Sequence, residues 1–478
     1  MTTIIQVVRP LLRPGVTMLD PVTVYIFFAL GVFTFFIFGA FGIISLNEGE
    51  RRAARRALLI AVVGLISFLG MAYFPSWIKL TLLSVIAALV LIGVIYLLWP
   101  IGQVDPGRDN PQRRYDERDI MFARANLIPG TPEYESYYQM RPENKSVDDA
   151  TRAKPGLLSP KAAYANPALF AAPQGSFSLT EALHEAVNGP VAEERQTLTR
   201  EEATAYIKNL ATYFGALETG ICELKPYHVY SHIGRGSGTY GAPIAVKHQY
   251  AIVITVEMDF EMIGASPYPP AIMESARQYV EAGRVAVQLA AAIRHLGYPA
   301  RAHIDGNYRL IAPLVARDAG LGEIGRMGLV MTAHQGPRVR LAVVTTDLPL
   351  KPNQRKKGEA MIDFCTVCKK CAQACPSKSI PFGDRQEIDG ALRWRINAET
   401  CFHYWNVIGT DCGRCMAVCP YSHPNTISHN LIRWGASRSG GFRRVAIWLD
   451  DFFYGVKPAP GKAPGWTMIG DAHNSPGR

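Results

Sequence analysis

The chain has 478 residues, 48% of them hydrophobic and 19% charged, with a formal net charge of +10. That length and apolar content allow two or three domains with a sizeable core, and they exclude a disordered chain or a small disulfide-stapled one. The positive charge does not call for nucleic acid as a partner, because many of the arginines flank apolar runs where anionic lipid headgroups serve equally well.

Three charge-free apolar runs lie ahead of residue 100: Pro21 to Ser45, Ala57 to Trp77, and Leu80 to Trp99. Each is long enough to cross a hydrocarbon layer about 30 Å thick as a helix. The first is too long for a cleavable signal and two more follow it, so residues 1–100 read as a three-helix transmembrane anchor in a lipid bilayer. Arg51, Arg52, Arg55 and Arg56 follow the first run, and Arg108, Arg113 and Arg114 follow the third, against Arg9, Arg13 and Lys79 on the other side. This bias puts the amino terminus outside and the bulk of the chain in the cytoplasm, as a multi-pass protein of the inner membrane.

Residues 101–175 are rich in Pro, Asn, Arg and Tyr with weak periodicity, and read as an extended wrap over the next domain. From 176 to 355 helices and strands alternate. A capping box at Thr199 and Glu202 opens a helix, 249–258 reads as a buried strand, 274–297 as a long helix and 338–348 as another strand, which together predict an α/β domain. Cys222 reads as a small core residue. The glycines of "GLGEIG" at 320–325 fit a ligand cradle, a nucleotide site or a tight turn, and no Walker A sequence or strand-borne Gly-x-Gly-x-x-Gly is present to decide between them.

Eight of the nine cysteines fall within 356–430, in the runs Cys365-x2-Cys368-x2-Cys371-x3-Cys375-Pro376 and Cys401-x10-Cys412-x2-Cys415-x3-Cys419-Pro420. Two-residue spacings let successive thiolates hold corners of one cubane, while the cysteine before proline serves the other cluster. The reading is a ferredoxin-like segment with two [4Fe–4S] clusters, one on Cys365, Cys368, Cys371 and Cys419, the other on Cys375, Cys401, Cys412 and Cys415. A closed zinc set is the competing reading, and it has no use for such crossing. Paired clusters pass electrons onward, so either an acceptor lies nearby or the protein is itself a membrane electron-transfer relay. Residues 431–478 read as a C-terminal extension.

The stretch "GLGEIGRMGLVMTAHQGPRVRLAVVTTDLPL", taken with both cysteine runs and "CGRCMAVCPYSHP", resembles the reductive dehalogenases, which are corrinoid and iron–sulfur enzymes. The resemblance runs from about Tyr115 to the end of the second cysteine run. It implies that 176–355 is a corrinoid-binding catalytic domain, with Gly320, Leu321, Gly322, Glu323, Gly325, Gly336 and Pro337 lying against cobalamin. An Asp-x-His-x-x-Gly signature is absent, since Arg301 stands two residues before His303 where the aspartate belongs, so the corrinoid is expected base-off. Carried over residue by residue, the proton donor falls on Tyr279, its cationic partner on Arg340, and the polar residue of a neighbouring turn on Asn307. Reductive loss of halide consumes two electrons and one proton at carbon, and a guanidinium beside a tyrosine favours the phenolate left behind. The resemblance thus implies an organohalide substrate and an external electron donor: ferredoxin, flavodoxin or a quinol pathway. The related epoxyqueuosine reductases share this core and are the alternative; they predict a tRNA substrate and an aspartate near Asp305.

Overall fold

The computed structural model describes residues 19–355 and 357–469. Their contacts divide the chain into two units, one of residues up to 101 with 439–455, the other of 102–438 with the segment from 456 on.

The first unit holds α1 (Leu19–Asn47), α2 (Arg51–Gly70) and α3 (Ser76–Leu98). Each is long and apolar enough to cross a membrane. Small residues let α1 and α2 approach, for a Cβ at Gly64 would stand 2.7 Å from Thr34 and one at Gly42 2.9 Å from Leu58. The second apolar run does not continue to Trp77 as one helix. It passes into a 3-10 turn at Met71–Tyr73, and α3 starts after Pro75, which has no N–H to extend a helical ladder. Lys79, expected in the connecting loop, is therefore in the first turn of α3 and is buried. Arg9, Arg13 and the amino terminus lie outside the described residues.

The second unit corrects the reading of 101–175 as an extended wrap. Only its first part is extended; α4 (Met121–Ala125), α5 (Pro132–Met140), α6 (Lys145–Arg152) and α7 (Pro167–Ala182) follow. Two of them, α5 and α7, begin with ordinary caps: Thr131 and Asn166 accept from backbone N–H groups of the first turn, each with proline at the next position. Tyr134, Tyr137 and Tyr138 are buried here around Leu127, together with Arg124 paired to Asp148 at 2.7 Å. With tyrosines and an ion pair among them, the few aliphatic residues leave no clear period to read.

Next come α8 (Arg200–Tyr213), opened by the expected Thr199–Glu202 capping box, β1 (Glu218–Glu223), β2 (Tyr250–Glu257), α9 (Phe260–Gly264), α10 (Pro269–His295), β3 (Ala300–His303), α11 (Ala312–Asp318), β4 (Gly322–Ile324), β5 (Val330–Thr332) and β6 (Val339–Thr346). The main sheet has the order β1-β2-β6-β3. Helices and strands do alternate along the chain, but every pairing in the sheet is antiparallel rather than the parallel arrangement such alternation usually builds. Period-2 alternation assigns the two faces. Ile252, Ile254, Ala302 and Val344 face α8 and α10, whereas Cys222, Ala251, Val253 and Val343 face α11. Cys222 is thus a core residue as expected, and burial pushes its thiol up to about 12.

The cysteine segment is built of α12 (Glu359–Cys368), α13 (Lys370–Ala374), the hairpin β7 (Gln386–Ile388) and β8 (Ala391–Arg393), α14 (Ala398–Ile408) and α15 (Arg414–Ala417), followed by α16 (Ile427–Arg438). Lys369, at φ 55°, breaks the helix between Cys368 and Cys371. The proposed extension 431–478 is not one piece, because α17 (Gly440–Phe453) groups with α1–α3 in the first unit.

Candidate active site and cysteine centre

The eight clustered cysteines fall into two neighbouring groups. The Cys419 thiol has Cys368, Cys365 and Cys371 as its neighbours, although at least 48 positions separate it from them. Cys412 has Cys401 and Cys375, and Cys415 has Cys412, Cys401 and Cys375 together with Cys371, where the two groups meet. Burial pushes Cys371 and Cys412 up to about 12 and Cys401 to about 11, and holds Cys415 and Cys419 well above the usual thiol range. Eight crowded cysteines, several of them held protonated by burial, suit bound cations, whose charge favours the thiolate. Among the described residues no three His, Cys, Asp or Glu side chains converge as a single metal ion would require.

Three glycines of the stretch that suggested a ligand cradle are closely backed by the chain itself. Gly322 is paired to Thr332 across the β4–β5 hairpin, and a Cβ there would fall on the Met331 carbonyl. A Cβ at Gly325 would stand 2.8 Å from Met331 and 3.4 Å from the Cys365 sulfur, and one at Gly336 2.6 Å from Tyr421. Leu321 packs into the core under α11, Pro337 is buried, and Glu323 pairs with Arg355 at 3.0 Å. Arg326, fully buried, donates to the carbonyls of Cys365, Pro381 and Gly383. The stretch therefore clamps the cysteine loops. Gly322→Ala is expected to lower stability by roughly 1–3 kcal/mol, since a backbone carbonyl has little room to yield. A thermal melt without added corrinoid measures this; an unchanged melt with weakened corrinoid binding would restore the cradle role.

Tyr279 and Arg340 do meet. Tyr279 lies on α10 and Arg340 near the start of β6, and the guanidinium carbon stands 4.7 Å from the phenol ring centroid. Two residues missed in the sequence hold that guanidinium: its Nη2 donates to Ser275 Oγ at 2.6 Å and pairs with Asp411 at 3.3 Å, and Ser275 donates to the same Asp411 oxygen. Ser275 is one turn before Tyr279 on the same helix face, so its spacing was a readable signal; Asp411 was marked only by preceding Cys412. Arg340 Nε and Asp411 Oδ1 are buried without a hydrogen-bond partner, which leaves polar capacity for a bound group.

The balance on the phenol differs from expectation. Burial dominates and raises Tyr279 above the ordinary tyrosine value, with Arg340 pulling it only partway back and Asp305 and Asp411 adding to the rise. The group is held protonated. The other arginine of the strand, Arg338, is a clamp: it is 1% exposed, pairs with Glu257 at 2.9 Å and donates to the Ser422 carbonyl.

Asn307 is fully buried and satisfied. Its amide nitrogen donates to Ser237 Oγ at 3.1 Å and its oxygen accepts from Arg301 at 2.9 Å. Asp305, two residues earlier, is the side chain whose charge is felt by Tyr279 and Arg340; burial raises it, while Arg235 and Arg340 lower it partway. Asp305 and Arg235 line a cavity of about 490 Å³ with Phe177, Glu181 and His184. Phe177 reaches Tyr279, with ring centroids 6.4 Å apart. A second cavity of about 280 Å³ shares Arg235 and Gly236 and is lined by Gly234, Gly238 and Tyr240. A second glycine-rich run, "GRGSG" at 234–238, thus borders both cavities. Tyr240 OH is buried there without a hydrogen-bond partner, and Arg235 Nε has only the Glu117 carboxylate at 3.5 Å. His303 has both ring nitrogens engaged, by Arg301 at 2.9 Å and Thr345 at 2.9 Å.

Residues 364–423 match the 4Fe-4S dicluster domain. Over 198 residues the chain is 35% identical to a tetrachloroethene reductive dehalogenase of Desulfitobacterium hafniense, covering 39% of this chain and 35% of that protein. Over 214 residues it is 34% identical to the tetrachloroethene reductive dehalogenase of Sulfurospirillum multivorans, covering 43% and 42%. An epoxyqueuosine reductase of Lactococcus garvieae is 27% identical over 129 residues. Among solved structures, the catabolic reductive dehalogenase NpRdhA superimposes with a TM-score of 0.60 at 25% identity, over 74% of this chain and 48% of that one. A structure described as bearing on B12-dependent dehalogenation matches equally, over 74% and 49%. The chain spans less than half the length of these relatives.

Proposed function

We propose that this chain, a homologue of the reductive dehalogenases, is a membrane-anchored enzyme that removes halide from an organohalide: R–X + 2 e⁻ + H⁺ → R–H + X⁻. The crossed cysteine sets would hold two [4Fe–4S] clusters that take electrons from an external donor, and a bound corrinoid, expected base-off, would supply the low-potential chemistry. The observation that carries the reading is the Tyr279–Arg340 pair beside a polar cavity. Tyr279 keeps its proton at neutral pH because burial outweighs the nearby guanidinium, and it delivers that proton to the carbon that loses halide. Arg340, fixed by Ser275 and Asp411, then faces the phenolate without having to move. Phe177, Arg235 and Asp305 form the wall past which substrate reaches the phenol. With its amide satisfied, Asn307 shapes the turn that presents Asp305. Both nitrogens of His303 are occupied within the protein, so this side chain would not be free to bind a metal. The arginines after α1 and α3 support an inner-membrane protein with its second unit in the cytoplasm.

The test is an anaerobic assay of the full chain, reconstituted with iron, sulfide and cobalamin, against a panel of chlorinated and brominated aromatics and alkenes. Free halide from at least one member is expected. Protein that binds cobalt and iron yet releases halide from none overturns the proposal.

A further inference from the structure

In α17 the usual arrangement of an amphipathic surface helix is reversed. Its exposed stripe is Val445, Trp448 and Phe452, at 37%, 63% and 38% exposure, spaced by three and four residues along one face. The one charged residue bordering it is Arg444, a turn before Trp448, which is half-buried and donates back to the Gly440 carbonyl. Arg443 is instead buried on the opposite side, with Asp450 and Asp451 half-buried. Trp448 and Phe452 stack on one another at 6.0 Å, forming a continuous apolar ridge. In water such a face is unfavourable; against lipid it is the expected one.

The helix sits where the candidate spans emerge on one side of their bundle. At its start Ser439 donates to the Leu97 carbonyl at the end of α3, and Gly440 and Gly441 have no room for a Cβ against the Ile101 and Tyr96 carbonyls. At its end Phe453 packs on Ala53 and Ala57 in the first turns of α2 and on Phe41 of α1, at 4.9 Å between rings. Arg56 of α2 lies over Phe452 at 4.8 Å and donates to its carbonyl. The end of α3 and the start of α2 lie on the same side of a bundle of three antiparallel helices. A 14-residue helix is about 21 Å long, so α17 lies across that side rather than extending it.

We infer that α17 is a lipid-facing interfacial helix, laid in the membrane surface with Val445, Trp448 and Phe452 in the acyl region, so that the chain returns to the bilayer after its cysteine segment. The inference rests on the reading of α1–α3 as spans. The occupant follows from continuity: the ridge lies in the same unit as three helices that present apolar side chains outward, and tryptophan favours the membrane–water boundary.

The test places the photocrosslinker p-benzoylphenylalanine in the full-length chain, in membranes of the expressing cells. Trp448 is replaced in one preparation, Val445 in a second and Leu89 of α3 in a third, with the 83%-exposed Tyr213 as the water-facing reference. Irradiation followed by mass spectrometry should find lipid adducts at 448 and 445 with a yield comparable to that at 89. Lipid adducts at 89 with only protein adducts, or none, at 448 and 445 would overturn the inference and leave the spans standing. No lipid adduct at 89 either would remove the spans and the inference together.

Discussion

Tyr279→Phe is expected to lower halide release by about 10²–10⁴-fold while iron, sulfide and corrinoid content stay at wild-type levels. The substitution keeps the ring that packs against Phe177 and lies under Arg340, and removes only the phenolic proton. Arg340→Lys keeps a positive charge but loses the planar fork held by Ser275 and Asp411, so it should also impair turnover. If the pair works as a unit, the double variant Tyr279→Phe with Arg340→Lys should be little worse than Tyr279→Phe alone, because coupled groups do not contribute additively. Additive losses would give Arg340 a separate task. The pH profile provides a second reading. Burial raises the phenol above the ordinary tyrosine value, so the rate should stay level through neutrality and fall only in alkali, as the proton is lost. Arg340 is the strongest influence pulling that value down, so in Arg340→Ala the alkaline fall should move to higher pH. Near-normal halide release from Tyr279→Phe would remove the tyrosine from the proton step.

Cys419→Ala and Cys368→Ala are expected to remove the same iron–sulfur signal, and Cys415→Ala the other one. Iron should drop from about eight to about four per chain in each variant, and halide release should approach background because one link in the electron path is missing. The pairing of variants is what discriminates. Along the chain Cys419 stands nearest Cys412 and Cys415, yet the crossed reading assigns it to Cys365, Cys368 and Cys371, which are its neighbours in the fold. Electron paramagnetic resonance of the reduced variants reads this directly. If Cys419→Ala and Cys415→Ala abolish the same signal, ligation is sequential and the crossed assignment fails. A preparation with zinc and no labile sulfide would remove the clusters altogether.

The sequence by itself determined what depends on local period and spacing: three helices of membrane length, the capping box before α8, the buried strand β2, the long helix α10, and the two cysteine runs. These features are written in neighbouring residues, as apolar periodicity or as ligand spacing within a turn or two. Resemblance added Tyr279 and Arg340, 61 positions apart. Tertiary structure alone decided what lies against what. The antiparallel order β1-β2-β6-β3 depends on which strand edges meet, and no local pattern records that. The helices of 121–152 were hidden because tyrosines and the Arg124–Asp148 pair, rather than an aliphatic stripe, fill most of their interior. Gly322, Gly325 and Gly336 do mark close approach, but glycine does not say to what; the partners proved to be Met331 and Tyr421 of the same chain. The same holds for the phenol. Its neighbour Arg340 predicts a lowered value, and only burial, which no residue list contains, turns the sign the other way.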